Sequence, residues 1–307
     1  MENSAMTRLR SAILPVALTL CLFGTNAGAQ ELEPGAYTVS PVGVNLLNLG
    51  YTFNSGDVNF DPSLPVEDAH ATINTLVLSY GRSISFFGRA ATLLASLPVV
   101  GGNITGLYLG QFTAIDRGGL GDARVRLGVN LFGAPARKMP EFAKTPPPKN
   151  NISASLTVTM PTGEYDPARI INLGAHRWSF KPEVAFIRTT GPWLFEIYGG
   201  AWLFTANDDF YGGHVRTQDA MLSTQFNARY TFKPGLWLSG NANFYRGGRT
   251  HVDGRADLDF QTNSRVGATM TVPLSPRSSF RVALSDGAYT TIGADFLGVS
   301  VSFQRAF

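Results

Sequence analysis

Leu297-Gly298-Val299-Ser300-Val301-Ser302-Phe303-Gln304-Arg305-Ala306-Phe307 closes the chain and decides how the rest of it is read. Counted in twos from the terminus, Phe307, Arg305, Phe303, Val301, Val299 and Leu297 form one set, large and mostly apolar. Ala306, Gln304, Ser302, Ser300 and Gly298 form the other, small and mostly polar. A period of two belongs to a β-strand, whose successive side chains point to opposite faces. The last residues of a soluble domain are usually frayed and wet, so a carboxy-terminal aromatic has little to do there. The same strand suits the closure of a transmembrane barrel, with its apolar face to lipid, its small face to the lumen and its aromatic in the interfacial girdle.

The preceding chain repeats that rhythm. Alternating segments are expected at Gly43 to Asn54, Ala71 to Tyr80, Ile84 to Leu97, Ala123 to Phe132 and Ile152 to Met160. They continue with a segment ending at Arg188, then Trp193 to Thr205, Leu222 to Tyr230, Leu236 to Tyr245, one ending at Val272, Ser279 to Ser285, and the terminal strand. Short links such as Gly81-Arg82-Ser83, Thr190-Gly191-Pro192 and Lys233-Pro234-Gly235 read as tight turns. Long polar or Gly-rich links, including the one reaching Gly119, alternate with them. The Pro- and Lys-rich stretch Gly133 to Asn151 is the one long link on the short-turn side. A β-sandwich has no reason to alternate short and long connections. An even-stranded barrel with both termini on the short-turn side does, so the expected fold is an all-β transmembrane antiparallel up-and-down barrel of about twelve strands, with long extracellular loops and short periplasmic turns.

Residues 1–29 carry the marks of a cleaved secretory signal: Arg8 and Arg10, an apolar stretch from Ala12 to Phe23, and Ala27-Gly28-Ala29. The apolar stretch is too short to span a bilayer stably. Residues 30–40 are expected as a short periplasmic segment and 41–307 as the barrel. Cys21 falls within the signal and follows Leu20 rather than a small residue. The mature chain therefore offers no thiol for a disulfide, a metal or nucleophilic catalysis. Aromatics suit girdles and Gly suits turns and lumen positions, so 21 Phe, 33 Gly and only 15% charged residues favour a membrane wall. The net charge of +3 is spread without a basic run, which argues against nucleic acid as a partner.

Three motifs narrow the reading: Gly119-Leu120-Gly121-Asp122, Pro161-Thr162-Gly163-Glu164-Tyr165-Asp166, and Asn172-Leu173-Gly174-Ala175-His176-Arg177-Trp178. In this order, and with the terminal Phe307, they resemble the outer-membrane transporter family described as the MetA-pathway of phenol degradation, over about residues 41–307. The resemblance implies a small outer-membrane barrel linked to uptake of aromatic or other hydrophobic compounds. It implies no binding residues, and makes Phe307 the signal read by the outer-membrane assembly machinery. The expected function is passive uptake of small hydrophobic or aromatic compounds. A general small-solute porin, a barrel hydrolase and a surface adhesin are the alternatives.

Alternation aims Arg124, Arg126, Lys181, Glu183, Glu196, Arg229, Trp237, Asn241, Asn243 and Arg281 into the lumen, as a selective lining or as cross-lumen braces. Trp178, Tyr198, Trp202, Phe210 and Tyr211 form either an aromatic slide near the mouth or part of a girdle. Asp122, Glu164 and Asp166 could ligate Ca²⁺, but Gly and Asp at strand ends more often set turns. His70, His176, His214 and His251 lie in or beside loops without a hydrolase pattern, so no enzymatic activity, cofactor or metal is expected. Outer-membrane lipid, the assembly machinery and a small-molecule cargo are the expected partners.

Overall fold

Strands that alternate between lipid and lumen need every backbone N–H and C=O paired, because lipid can satisfy none of them. The computed structural model, which describes residues 32–60, 66–169 and 171–307, shows how this chain meets that demand. The expected signal segment lies outside the described residues.

The wall consists of β1 (Asn45–Asn59), β2 (Val66–Phe86), β3 (Arg89–Tyr108), β4 (Gln111–Leu120), β5 (Arg124–Phe132) and β6 (Asn150–Thr159). It continues with β7 (Ser179–Thr190), β8 (Trp193–Phe204), β11 (Met221–Lys233), β12 (Leu236–Gly247), β15 (Gln261–Ser275), β16 (Ser278–Thr290) and β17 (Gly293–Ala306). β4 and β5 both pair with β3, one above the other, so they are two lengths of one spanning strand and the wall has twelve. β1 closes on β17 in the register Leu47↔Arg305, Tyr51↔Val301, Phe53↔Val299. The seam ends on two backbone hydrogen bonds, from Phe307 N–H to Asn45 O (3.0 Å) and from Asn45 N–H to Phe307 O (2.9 Å). The terminal stretch is the closing strand, and the fold is a closed antiparallel barrel.

Outward residues are apolar and bare. Leu49, Leu78 and Phe244 are about half exposed (49%, 51% and 51%), an arrangement that suits lipid and not water. Tyr80 donates to Asn45 (2.8 Å) and Tyr51 to Asn74 (2.6 Å), each an aromatic with its hydroxyl tied to a neighbouring polar group, as at a membrane interface.

Two expectations for the first hairpins are corrected. Gly81-Arg82-Ser83 is not a turn; β2 runs through it to Phe86, and the chain reverses at Phe87-Gly88, both at positive φ (48° and 75°). Gly81 faces the lumen, where a Cβ would lie 3.2 Å from Leu94 Cδ1, so its role is to leave room. The Gly-rich stretch before Gly119 is not a loop either. It is the upper half of β3, a turn at Leu109-Gly110, and β4. Pro98 is tolerated inside β3 because it sits where the second partner changes from β5 to β4, so its missing N–H leaves no ladder bond unmade.

On the periplasmic side the long link between β5 and β6 holds the short helix α1 (Met139–Phe142). On the extracellular side β9 (Asn207–Phe210), β10 (His214–Gln218), β13 (Thr250–Val252) and β14 (Arg255–Ala256) form a separate four-stranded sheet beside the mouth. The described part of the amino-terminal segment, expected beneath the barrel, instead lies inside it. Its polar groups find partners on the inner wall that open periplasm would replace only with water.

Candidate functional site

The inner wall has two unlike halves, and the amino-terminal segment creates the difference. It rises from Ser40, beside Ala90 and Asn130, past Tyr37 and on to Glu33. Tyr37 Oη donates to Glu183 Oε1 (2.7 Å) and lies 2.8 Å from Ser155 Oγ. Gly35 N–H donates to Glu196 Oε2 (3.0 Å), which also accepts from Asn227 (3.1 Å). Glu33 reaches Arg126 Nη1 at 3.1 Å. The segment thus spans β5, β6, β7 and β8 from within.

The polar residues that alternation aims inward all face the lumen, and most of them engage one another. Glu183 lies 2.6 Å from Lys181 Nζ and 3.6 Å from Arg126 Nη2. The Arg126 guanidinium covers the Tyr37 ring at 4.5 Å. Arg229 and Arg281 both approach the ring of Trp237, at 5.2 and 5.4 Å, so two cations share one aromatic partner. Asn241 accepts from Ser239 (2.9 Å) and donates to Thr269 (3.1 Å), and Asn243 donates to Tyr245 (2.7 Å). Arg124 faces the lumen one pleat above Arg126. This half is a braced network of partly desolvated charges. Cations outnumber carboxylates on it, with Arg124, Arg126, Lys181, Arg229 and Arg281 set against Glu33, Glu183 and Glu196.

The other half, formed by β17, β1, β2 and β3, is only partly covered. Register places Gly50, Thr52, Ser300 and Ser302 side by side on its inner face. Next to them run Ile73, Val77, Leu94, Pro98 and Val100, all inward and all half-buried. This apolar stripe escaped the sequence reading because its upper part lay in the stretch taken for a loop. Apolar inner positions recurring on two paired strands, broken by Thr75, Ser79 and Ser96, are the signal that could have found it.

The aromatic slide does not form. Tyr198 and Trp202 line the lumen, Trp178 is exposed, and Phe210 is buried under Arg216 in the extracellular sheet with Tyr211 beside it. The three sequence motifs meet at one knot in the gap between β4 and β5. Asp122 accepts from Gly163 N–H (2.8 Å) and Ala175 N–H (2.9 Å), and Ala123 N–H donates to Thr162 (2.9 Å). Gly163 and Gly174 touch so closely that a Cβ on Gly174 would lie 2.6 Å from Gly163 O. Both Asp122 oxygens serve backbone donors, which is turn-setting chemistry.

His70 shows a feature the sequence did not suggest. Its ring lies 3.0 Å from Ser55 Oγ and 3.1 Å from Asp57, an order found in hydrolases. The three stand outward on a flat, exposed part of β1 and β2, whose backbone N–H groups belong to the ladder between the strands. Among the described residues, no backbone N–H is left there to hold an oxyanion.

Residues 47–301 match the family model described as "Putative MetA-pathway of phenol degradation". Among solved structures, the COG4313 outer membrane channel from Pseudomonas putida F1 superposes with a TM-score of 0.74 at 21% identity, covering 90% of this chain and 100% of that one. The NanC porin (TM-score 0.46, 9% identity, 84% and 98% coverage) and the CymD monoaromatic hydrocarbon channel (0.44, 10%, 95% and 97%) are more distant. No curated protein matches. The likeness to the Pseudomonas putida F1 channel shows the outer-membrane barrel fold.

Proposed function

We propose that this chain, which belongs to the family of that description, is an outer-membrane channel for passive uptake of small aromatic or otherwise hydrophobic compounds. The observation that carries this reading is the half-covered inner wall. Ile73, Val77, Leu94, Pro98 and Val100 give a ring a place to slide, and the small polar residues of β1 and β17 keep the path wet. A solute moving along it makes weak, repeated contacts, as transit requires, rather than one tight site. The superposing structure is that of an outer membrane channel, which supports this reading.

Purified protein in liposomes tests it. Neutral benzyl alcohol is expected to cross faster than a sugar of similar size. Val77→Asp should slow the aromatic several-fold while leaving thermal unfolding nearly unchanged. Equal fluxes for both solutes, or no flux of either, would sink the proposal. As the proposed assembly signal, Phe307 should lower membrane levels of the protein when deleted, with flux per assembled molecule preserved. Normal levels of the truncated chain in outer-membrane fractions would remove that role.

A further inference from the structure

Arg177 precedes β7 in the extracellular loop, and Arg216 lies on β10 of the extracellular sheet. Both are buried, with 6% and 8% of their surface exposed. They are brought together by Gln218, which accepts from Arg177 Nη2 and shares the covered face of β10 with Arg216. Each guanidinium also lies over an aromatic ring, Arg177 on Phe204 at 4.5 Å and Arg216 on Phe210 at 5.3 Å.

Neither cation has a carboxylate within ion-pair distance among the described residues, and Arg177 Nη1 and Arg216 Nε are buried without a hydrogen-bond partner. Asp122, the nearby acid that opposes the shift of Arg177, spends its two oxygens on backbone donors. Burial, and then the like charge of Arg216, lower the proton affinity of Arg177. Two buried cations side by side are costly unless an anion joins them. A small pocket opens beside Arg216, lined also by Phe210, Asn207, Tyr165, Asn172 and Ala175, while Arg177 and Phe204 stand outside its lining. The motif knot that fixes Arg177 also leans on β4, the partner of β3 along which the apolar stripe runs.

We propose that Arg216, backed by Arg177 through Gln218, forms an anion site at the extracellular mouth that takes the carboxylate of small organic acids, aromatic acids above all. The planar fork of a guanidinium matches a carboxylate in two parallel bonds, and Phe210 and Tyr165 on the pocket wall offer apolar edges to the attached ring. This rests on the channel reading for its purpose and refines the cargo to compounds that carry a charge as well as a ring.

The test is equilibrium dialysis of labelled benzoate against the full chain in detergent, where permeation plays no part. Saturable binding is expected, with competition by acetate, less by inorganic phosphate, and none by neutral benzyl alcohol. Arg216→Gln should weaken binding about tenfold or more, the scale of one lost charge-assisted pair. Arg216→Lys, which keeps the charge and loses the fork, should fall between. Arg177→Gln is the second variant, and heat-modifiable gel mobility shows that each is folded. Unchanged benzoate binding in both folded variants, tighter binding of phosphate than of benzoate, or no saturable binding to the wild type would overturn the site. Flux of benzyl alcohol through wild-type protein in liposomes is the separate measure of the channel. Flux without benzoate binding sinks the site alone, and binding without flux sinks the channel alone.

Discussion

The two halves of the inner wall share one backbone pattern and differ in what the chain does next to them. From β6 to β15 the inner face is crowded with buried polar side chains, Ser153, Glu183, Glu196, Gln225, Asn227, Asn241 and Thr269 among them. From β17 through β1 to β3 it is mostly half-buried, with smaller or apolar side chains. The amino-terminal segment lies mainly against the first half and meets the second only at the foot of β3, beside Ala90. A twelve-stranded barrel is too wide for side chains alone to fill. This chain fills one side with its own amino end and covers the other less.

The largest effect expected from breaking this contrast is on stability. Glu183→Gln leaves Arg126 and Lys181 without their shared acceptor and weakens the hold on Tyr37. The loss should be about 3 kcal/mol in denaturant unfolding, as for a buried pair that loses one partner. Ser302→Ala on the bare half should cost less than about 0.5 kcal/mol. Equal costs would mean that the two halves are braced alike. Next in size is conductance. Tyr37→Ala removes the contact that pins the segment under Arg126, and single-channel current in planar bilayers should rise severalfold. An unchanged current would show that the segment does not narrow the path.

The smallest effect lies outside both halves. His214 contacts Asp253 at 2.6 Å, and Val215 N–H donates to the same carboxylate (3.0 Å). The Val215 N–H, and then His214, hold the Asp253 carboxyl below the usual aspartate range. A depressed carboxyl contributes stability in full above its unfolded value of about 3.9, and loses it as pH falls through the lower folded value. Exchange of the Val215 amide should therefore open more readily in acid, below about pH 4, and hardly change between about pH 5 and pH 7. Opening that is equal across this whole range would detach Asp253 from the sheet.

Most of the wall was legible because lipid enforces alternation. An outward charge is costly at the bilayer midplane, so the period of two survives in nearly every strand. It failed where inward small residues imitate turn chemistry. Gly81 and Ser83 serve packing inside β2, while the true reversals at Phe87-Gly88 and Leu109-Gly110 carry one glycine each. Parity alone aimed Arg126, Glu183 and Trp237 inward. It could not supply Tyr37 as their neighbour, because a segment crossing the lumen has no period to read. Arg177 and Arg216 stayed hidden for a related reason, since they lie far apart in sequence and meet only through the loop knot and the side chain of Gln218.

The rim is uneven. β2 has 21 residues and β7 has 12, so at about 3.3 Å per residue their contour lengths are about 70 and 40 Å. The excess stands above the membrane on one side only, beyond the interface marked by Tyr51 and Asn74. Its inner surface carries Val58, Ala71, Phe296 and Ile104. The barrel thus wears an awning whose underside is sealed by its own packed apolar cluster, with Val58, Ala71 and Phe296 almost without exposure. A taller wall with a core of its own can hold its height above the membrane without help from lipid.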